Sequence, residues 1–209
     1  MVALLELGTR RAADAVRNGE HTAEALAEAL LARCAASPLN AFISLEADRL
    51  RAAARAADQR RHRGERLGPL HGVPLALKDN IDTADFPTTA GTPALAAHRP
   101  KRNAPIVQHL LGAGAIVLGK TNLQELAYGP TNNNAAFGPA RNPYDRTRIP
   151  GGSSGGQRRR GRSAPRAGGA RHRHRRVHTR PRRTLRDHEH APDHLALATS
   201  RHRSAFAYP

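Results

Sequence analysis

Cysteine is nearly absent from this 209-residue chain: Cys34 stands alone, which excludes an internal disulfide. No apolar run approaches the ~20 residues that cross a bilayer, so no membrane partner is expected. The N-terminal Met1-Val-Ala-Leu-Leu5 is too short for the apolar stretch of a signal peptide, and Glu6 follows it at once. A cytoplasmic protein is the expectation from these absences. Acids are also scarce, 17 against 34 Lys and Arg, for a net charge of +17. A charge of that size ordinarily suggests a nucleic-acid partner. Its distribution does not. Residues 157–209 hold fifteen Arg, no Lys and three acids (Asp187, Glu189 and Asp193), a net of +12 that leaves only +5 on the first 156 residues. Seven of the twelve His lie in the same tail. The chain therefore reads as two parts, 1–156 and 157–209, with an abrupt boundary at Gly156.

The tail has no apolar period. Arg158-Arg-Arg160, Arg171-His-Arg-His-Arg-Arg176 and Pro181-Arg-Arg183 are relieved only by small patches at Leu195 to Ala198 and Phe206 to Tyr208. Such a segment cannot bury enough surface to offset its ordering entropy, and disorder is expected. As a genuine basic arm it would bind nucleic acid non-specifically and with steep salt dependence. Its near-lack of aromatics leaves little for base stacking. His172, His174 and His178 invite a metal-site reading, but the alternating Arg repel a cation and no carboxylate is adjacent.

Residues 1–156 have the texture of a folded enzyme. From about Leu7 to Ala36 the spacing is helical, with Ala23, Leu26, Ala27, Leu30 and Cys34 on one face and Thr22 as a cap. A second helix is expected from Leu45 to about Arg63. Val73-Pro-Leu-Ala-Leu77 suits a buried strand, Ala104 to Gly112 a helix, and Ala115-Ile-Val-Leu-Gly119 the next buried strand. Strand and helix in alternation predict an α/β fold with a largely buried sheet. Gly, Pro, Asn and Thr-rich loops lie between, where catalytic groups tend to sit.

Three stretches bear on chemistry. Lys78 closes an apolar run and is either a solvated strand end or a desolvated amine, whose lowered pKa would make it a base near neutral pH. Gly114 to Thr121 spells the phosphate-loop pattern G-x-x-x-x-G-K-T. Ala115-Ile-Val-Leu118 fills that loop with strand-forming residues, so nucleotide binding is not expected. Pro150-Gly-Gly-Ser153-Ser154-Gly-Gly156 is either a flexible linker or a loop whose backbone approaches a substrate closely.

Taken together, and in this order and spacing, these stretches resemble the amidase-signature family over about residues 65–156. The matching text is Gly68-Pro-Leu-His-Gly-Val-Pro74, Lys78-Asp79-Asn80, Thr88-Thr-Ala-Gly-Thr92, Gly112 through Asn122, Glu125-Leu-Ala-Tyr-Gly129, Arg141-Asn-Pro-Tyr-Asp145 and Pro150 through Gly156. The resemblance implies the N-terminal portion of an α/β/α sandwich with a mixed sheet, incomplete as written. It also implies hydrolysis of small linear amides by a Ser–Ser–Lys triad, with no metal or cofactor. By motif, Lys78 is the expected catalytic lysine and Ser153 the bridging serine, which in the family follows a cis peptide. Gly151, Gly152 and Ser154 form the surrounding substrate loop. In the family a second serine, within Gly-Thr-Asp-Thr-Gly-Gly-Ser, is the nucleophile and its loop supplies the oxyanion hole. The text around Thr121 to Asn134 is similar to indoleacetamide and mandelamide hydrolases. It is also compatible with the A subunit of the glutamyl-tRNA amidotransferase, which would add partner subunits.

Here the chain departs from the family. The nucleophile position falls on Val177, and no Gly-Gly-Ser follows Gly156. The genetic code offers an explanation. Read one nucleotide forward, the codons of Arg171 through Val177 permit Gly-Thr-Asp-Thr-Gly-Gly-Ser, with Ser landing on position 177. The same shift through Asp193 again permits family-like text. A frameshift near codons 156–160 accounts together for the boundary, the Arg and His excess and the missing serine. The expectation is an amidase by descent, catalytically dead as written.

Overall fold

The computed structural model describes residues 2–157 and 168–170. Three helices open the chain: α1 (Val2–Glu6), α2 (Thr9–Arg17) and α3 (Ala23–Ala35). The single helical stretch expected from Leu7 to Ala36 is thus broken between Arg17 and Ala23, where Gly19 adopts φ +75°. Thr22 restarts the helix, its side-chain oxygen accepting from Ala25 N at 3.0 Å. Asp58 adds a second cap from outside, accepting from Ala23 N at 2.8 Å and Glu24 N at 3.0 Å. A carboxylate there meets both the free N–H groups and the positive end of the helix dipole. Asp58 belongs to α4 (Ala47–His62), so the cap also fastens α3 to α4.

The remaining elements are β1 (Phe42–Ser44), β2 (Pro74–Lys78), α5 (Pro105–Gly112), β3 (Ile116–Thr121) and β4 (Gly168–Ala170). The strand order is β1-β3-β2-β4. β2 runs parallel to both β3 and β4, and β1 pairs antiparallel with β3, so the sheet is mixed. The expected strands and the α5 helix fall within two residues of their places. The three-residue β1 was not expected, being too short to show a period. β4 lies inside the tail that was expected to be disordered. Its Gly-Gly-Ala backbone, free of bulk, pairs with the edge of β2 from Leu75 to Leu77. The expected disorder of the rest of the tail, and Val177 with it, lies outside the described residues.

Alternation along the buried strands sends side chains to two helical layers. Ala76, Ile116 and Leu118 join Val16, Leu26, Leu30, Leu50 and Ala54 in the larger core beneath α1 to α4. Leu77 and Val117 face the other way and pack with Ile81, Val107, Ile106 and Leu111 of the α5 side. This is helix, sheet, helix layering. Ala23, Leu26, Ala27 and Leu30 are buried as the spacing predicts, while Cys34 is only partly so. Among the described residues no helix is long and apolar enough to cross a membrane.

Where the chain turns into β2, Gly72 has φ +69°, and a Cβ there would lie 2.8 Å from that of Ala23. Only glycine fits this close approach of loop to helix. The neighbouring His71 is buried, its Nε2 3.0 Å from Ala57 O, and burial holds its pKa below the ordinary value. Together they seat the start of β2 on α3 and α4, which fixes where the strand ends. Leu50, 1% exposed, anchors the core that this depends on. Leu50→Ala is expected to destabilise the fold by roughly 2–5 kcal/mol, read as a lowered urea midpoint of the full chain.

Candidate active site

Lys78 is the last residue of a strand whose five positions are all buried. Its side chain is fully buried and its ammonium nitrogen lies 2.8 Å from Ser153 Oγ. Burial is the cause of a pKa lowered from 10.5 to about 8. An amine so placed is neutral in a far larger fraction of molecules near physiological pH than an exposed lysine, and in that form can take a proton from the hydroxyl beside it. Of the two readings open for Lys78, the desolvated amine is the one observed.

Ser153 sits in a loop held from three sides. Gln124 N donates to Ser153 O at 3.1 Å, Gly155 N to Asn132 Oδ1 at 3.0 Å, and Gly156 N to Asn122 O at 3.0 Å. The glycines are required by contact. A Cβ on Gly155 would fall 2.3 Å from Asn132 Cγ, and one on Gly156 would fall 2.4 Å from Ala41 O. The loop is therefore no flexible linker. Gly151 takes φ +74°, and the Gly152–Ser153 peptide is cis, as the resemblance implies. Ser154 is half-buried, and its hydroxyl forms no hydrogen bond with another described residue. Of the residues named from sequence, Lys78 and Ser153 are thus brought together, and Gly151, Gly152 and Ser154 carry the loop around them.

Sequence reasoning missed the groups that hold this loop. Asn122 Nδ2 donates to Asn40 O at 3.1 Å and Gly138 O at 2.9 Å. Gln124 bridges Thr131 and Asn133, and Asn134 Nδ2 donates to Gly91 O at 2.8 Å and Leu123 O at 3.0 Å. The density of Asn from 132 to 134 was the available signal, since Asn side chains brace loops by bonding backbone.

Lys120, the lysine of the discounted phosphate-loop pattern, has a different task. Residues 116–121 form β3 rather than a loop. Lys120 is fully buried and donates to Ile81 O (2.8 Å), Thr88 Oγ1 (2.9 Å), Thr83 Oγ1 (3.1 Å) and Pro87 O (3.1 Å). Asp79 Oδ1 lies 3.6 Å away. Asp79 Oδ2 accepts from Thr89 N at 3.0 Å and from the Thr89 hydroxyl. Burial raises the Asp79 pKa and lowers that of Lys120, and each charge opposes the shift of the other. The carboxylate and four oxygens around one ammonium favour the charged pair.

Five buried polar side-chain atoms near this end of the sheet have no hydrogen-bond partner among the described residues: Asp79 Oδ1, Asn80 Oδ1, Thr121 Oγ1, Asn122 Oδ1 and Asn132 Nδ2. They lie at or just past the ends of β2 and β3 or press on the Ser153 loop. Among the described residues no group of three His, Cys, Asp or Glu is placed to hold a metal ion.

Residues 25–157, more than half of the chain, match the family described as Amidase. The chain belongs to the amidase-signature family. Its relatives include the A subunit of the glutamyl-tRNA(Gln) amidotransferase of Chloroflexus aurantiacus, 48% identical over 158 residues, covering 75% of this chain and 32% of the relative. The same component of the Acidothermus cellulolyticus enzyme is 51% identical over 139 residues, covering 66% of this chain and 28% of the relative. Among solved structures, the native peptide amidase of Stenotrophomonas maltophilia aligns with a TM-score of 0.69 and 39% identity, over 75% of this chain and 34% of that one. Fatty acid amide hydrolase aligns with a TM-score of 0.70 and 25% identity, over 74% and 28%. The mixed α/β fold is thus that of the amidase-signature enzymes. The chain spans about a third of the length of the curated relatives it matches.

Two outcomes are expected for the buried lysines of this amidase-family chain. The Lys78 pKa is lowered on folding, so the unfolded state binds the extra proton between about 8 and 10.5, and the lysine opposes folding most below pH 8. Lys78→Met is therefore expected to stabilise the chain at neutral pH by on the order of 2–3 kcal/mol. The gain should fade as pH rises toward 10.5, read from urea midpoints across pH. Lys120→Met leaves Asp79 buried without its partner and is expected to cost about 3–5 kcal/mol, with part regained in the double variant with Asp79→Asn. Equal losses in the single and double variants would show that the pair is not coupled.

Proposed function

We propose that this chain is the front part of an amide hydrolase in which Lys78 and Ser153 relay a proton from a separate serine nucleophile. The observation that carries the reading is the 2.8 Å contact between Lys78 Nζ and Ser153 Oγ, with the lysine buried and its pKa near 8. Neutral Lys78 would accept a proton through the Ser153 hydroxyl as the nucleophile attacks the amide carbonyl. The same path would return it to the leaving amine, and water would release the acyl group. Backbone N–H groups of the nucleophile loop would stabilise the tetrahedral oxyanion.

In this reading the 209 residues carry no nucleophile, because its position holds Val177, and the chain is inactive as written. Residues from 157 onward are an out-of-frame translation. Three observations support this. The family match stops at residue 157. β4 ends at Ala170, paired with Leu77 one residue before Lys78, and the shifted reading Gly-Thr-Asp-Thr-Gly-Gly-Ser begins at the next position. Four buried polar atoms at the same end of the sheet, Asn80 Oδ1, Thr121 Oγ1, Asn122 Oδ1 and Asn132 Nδ2, have no hydrogen-bond partner among the described residues and fit a surface meant to meet further backbone. A cytoplasmic setting and a small-molecule amide substrate belong to this proposal. Binding of nucleic acid by the basic tail would be adventitious.

A second reading is favoured by the curated relatives, whose name places them in an amidotransferase for glutamyl-tRNA(Gln). The intact protein would then take the side-chain amide of glutamine and work with partner subunits.

Sequencing the gene across codons 150–200 is the first test; a gained or lost base that restores Gly-Gly-Ser ending at position 177 is expected. The frame-restored protein should hydrolyse simple aromatic amides, and Lys78→Met should lower its kcat/KM by at least about 10³-fold. Turnover confined to glutamine in the presence of partner subunits would favour the second reading. The 209-residue chain should turn over neither substrate, and ordinary enzyme rates from it would overturn the claim of inactivity.

A further inference from the structure

We infer that Ser153, paired with Lys78, is itself an acyl acceptor in this chain and reacts once with activated aryl esters. The inference rests on the relay reading of the same two residues. Three features of the site carry it.

The first is the pair itself. Ser153 Oγ has a fully buried amine at 2.8 Å and no other hydrogen-bond partner among the described residues. A hydroxyl has one proton to give and two lone pairs. With Lys78 neutral, the proton can go to Nζ while a lone pair of Oγ attacks, which is the arrangement of an activated nucleophile. In an intact relay that hydroxyl would serve a second serine. Here position 177 is valine, and nothing in the sequence after Gly156 repeats the Gly-Gly-Ser pattern.

The second is access. Lys78 is sealed, but Ser153 and Ser154 are half-buried, so the hydroxyl can meet a small ligand while its base stays dry. The third is the surrounding backbone. No N–H from Gly151 to Ser154 donates to another described residue, whereas those of Gly155 and Gly156 are both engaged. Successive N–H groups in a glycine turn that donate to no described residue form a concave donor surface suited to negative charge. Asn132 adds a fully buried Nδ2 without a hydrogen-bond partner among the described residues, 2.7 Å from where a Gly155 Cβ would stand.

The chemistry selects the substrate class. Oγ forms a bond to the acyl carbon, the Oγ proton passes to Lys78 Nζ, and the acyl–oxygen bond to the aryl group breaks. The aryloxide leaves as an anion and requires no proton. An amine leaving group would require one, so amides are poor substrates for this step. Lys78 is sealed from solvent, so it cannot in turn deprotonate a water against the acyl-serine, and the reaction stops at one acyl group per chain.

The test uses the full 209-residue chain and p-nitrophenyl acetate, followed by mass spectrometry and peptide mapping. One acetyl group on Ser153 is expected, formed faster as pH rises through about 8, where Lys78 loses its proton. Ser153→Ala should remove that label, and Lys78→Met should slow it at least about tenfold. Lys101→Arg, a change at an exposed position, should leave it intact. Circular dichroism of each variant separates lost chemistry from lost fold. Acetyl groups found only at the N-terminus, Lys101 or Cys34 would overturn the inference. If Ser153 stays unlabelled while the Lys78 ε-carbon titrates near 8 by NMR, this inference alone fails. If Lys78 titrates like an exposed lysine, the relay reading fails with it.

Discussion

The ammonium of Lys120 is the fixed point of this structure. It is buried in β3 with four oxygens from residues 81–88 at 2.8–3.1 Å and the Asp79 carboxylate at 3.6 Å. Three hydrogens serve four acceptors, so at least one is shared. A buried charge is tolerated only when so fully satisfied. The consequence is a loop folded back onto the strands that precede and follow it. Asp79 passes the constraint on: its carboxylate holds Thr89, and its carbonyl accepts from Ala90 N at 3.0 Å. Ala90 O in turn accepts from Leu126 N at 2.8 Å. From there the chain runs back to Gln124, whose N–H holds Ser153 O.

The Lys78–Ser153 contact is therefore supported at both ends by structure that contains no catalytic group. Strand β2 is seated on the α3–α4 layer through Gly72 and His71, which sets where Lys78 stops. The Ser153 loop is pressed onto Asn132, Asn122 and Ala41 by glycines that admit no Cβ. Burial then does the chemical work: it removes water from the Lys78 amine and so favours the neutral form. The two lysines of this region show the same desolvation with opposite results. Lys120 has a carboxylate and a ring of oxygens, whereas Lys78 has one hydroxyl.

Much of the fold was legible in the sequence. Continuous apolar runs at 73–77 and 115–119 marked buried strands, and Thr22 marked a helix start. The break at Gly19 was not legible, because Ala and Leu spacing continues across it while the turn is decided by a positive φ and by Asp58 capping from another helix. β1 escaped notice because three residues hold too little pattern. Lys78 and Ser153 were named by motif. Their partners Asn122, Asn132 and Gln124 were not, since an Asn that braces a loop looks in sequence like any other polar loop residue.

By itself the sequence determined the layered α/β class, the two residues that meet at the site, and the change of texture after Gly156. These follow from local quantities: apolar period, motif spacing and codon content. The tertiary structure alone decided three things. It decided that Gly151 to Gly156 is a braced loop, that Lys120 is held by a carboxylate and backbone rather than by a phosphate, and that the Lys78 amine is desolvated. Each depends on which oxygens and how much water lie within a few ångströms of a charge or a backbone. Residues 39 to 82 positions apart in sequence supply those surroundings.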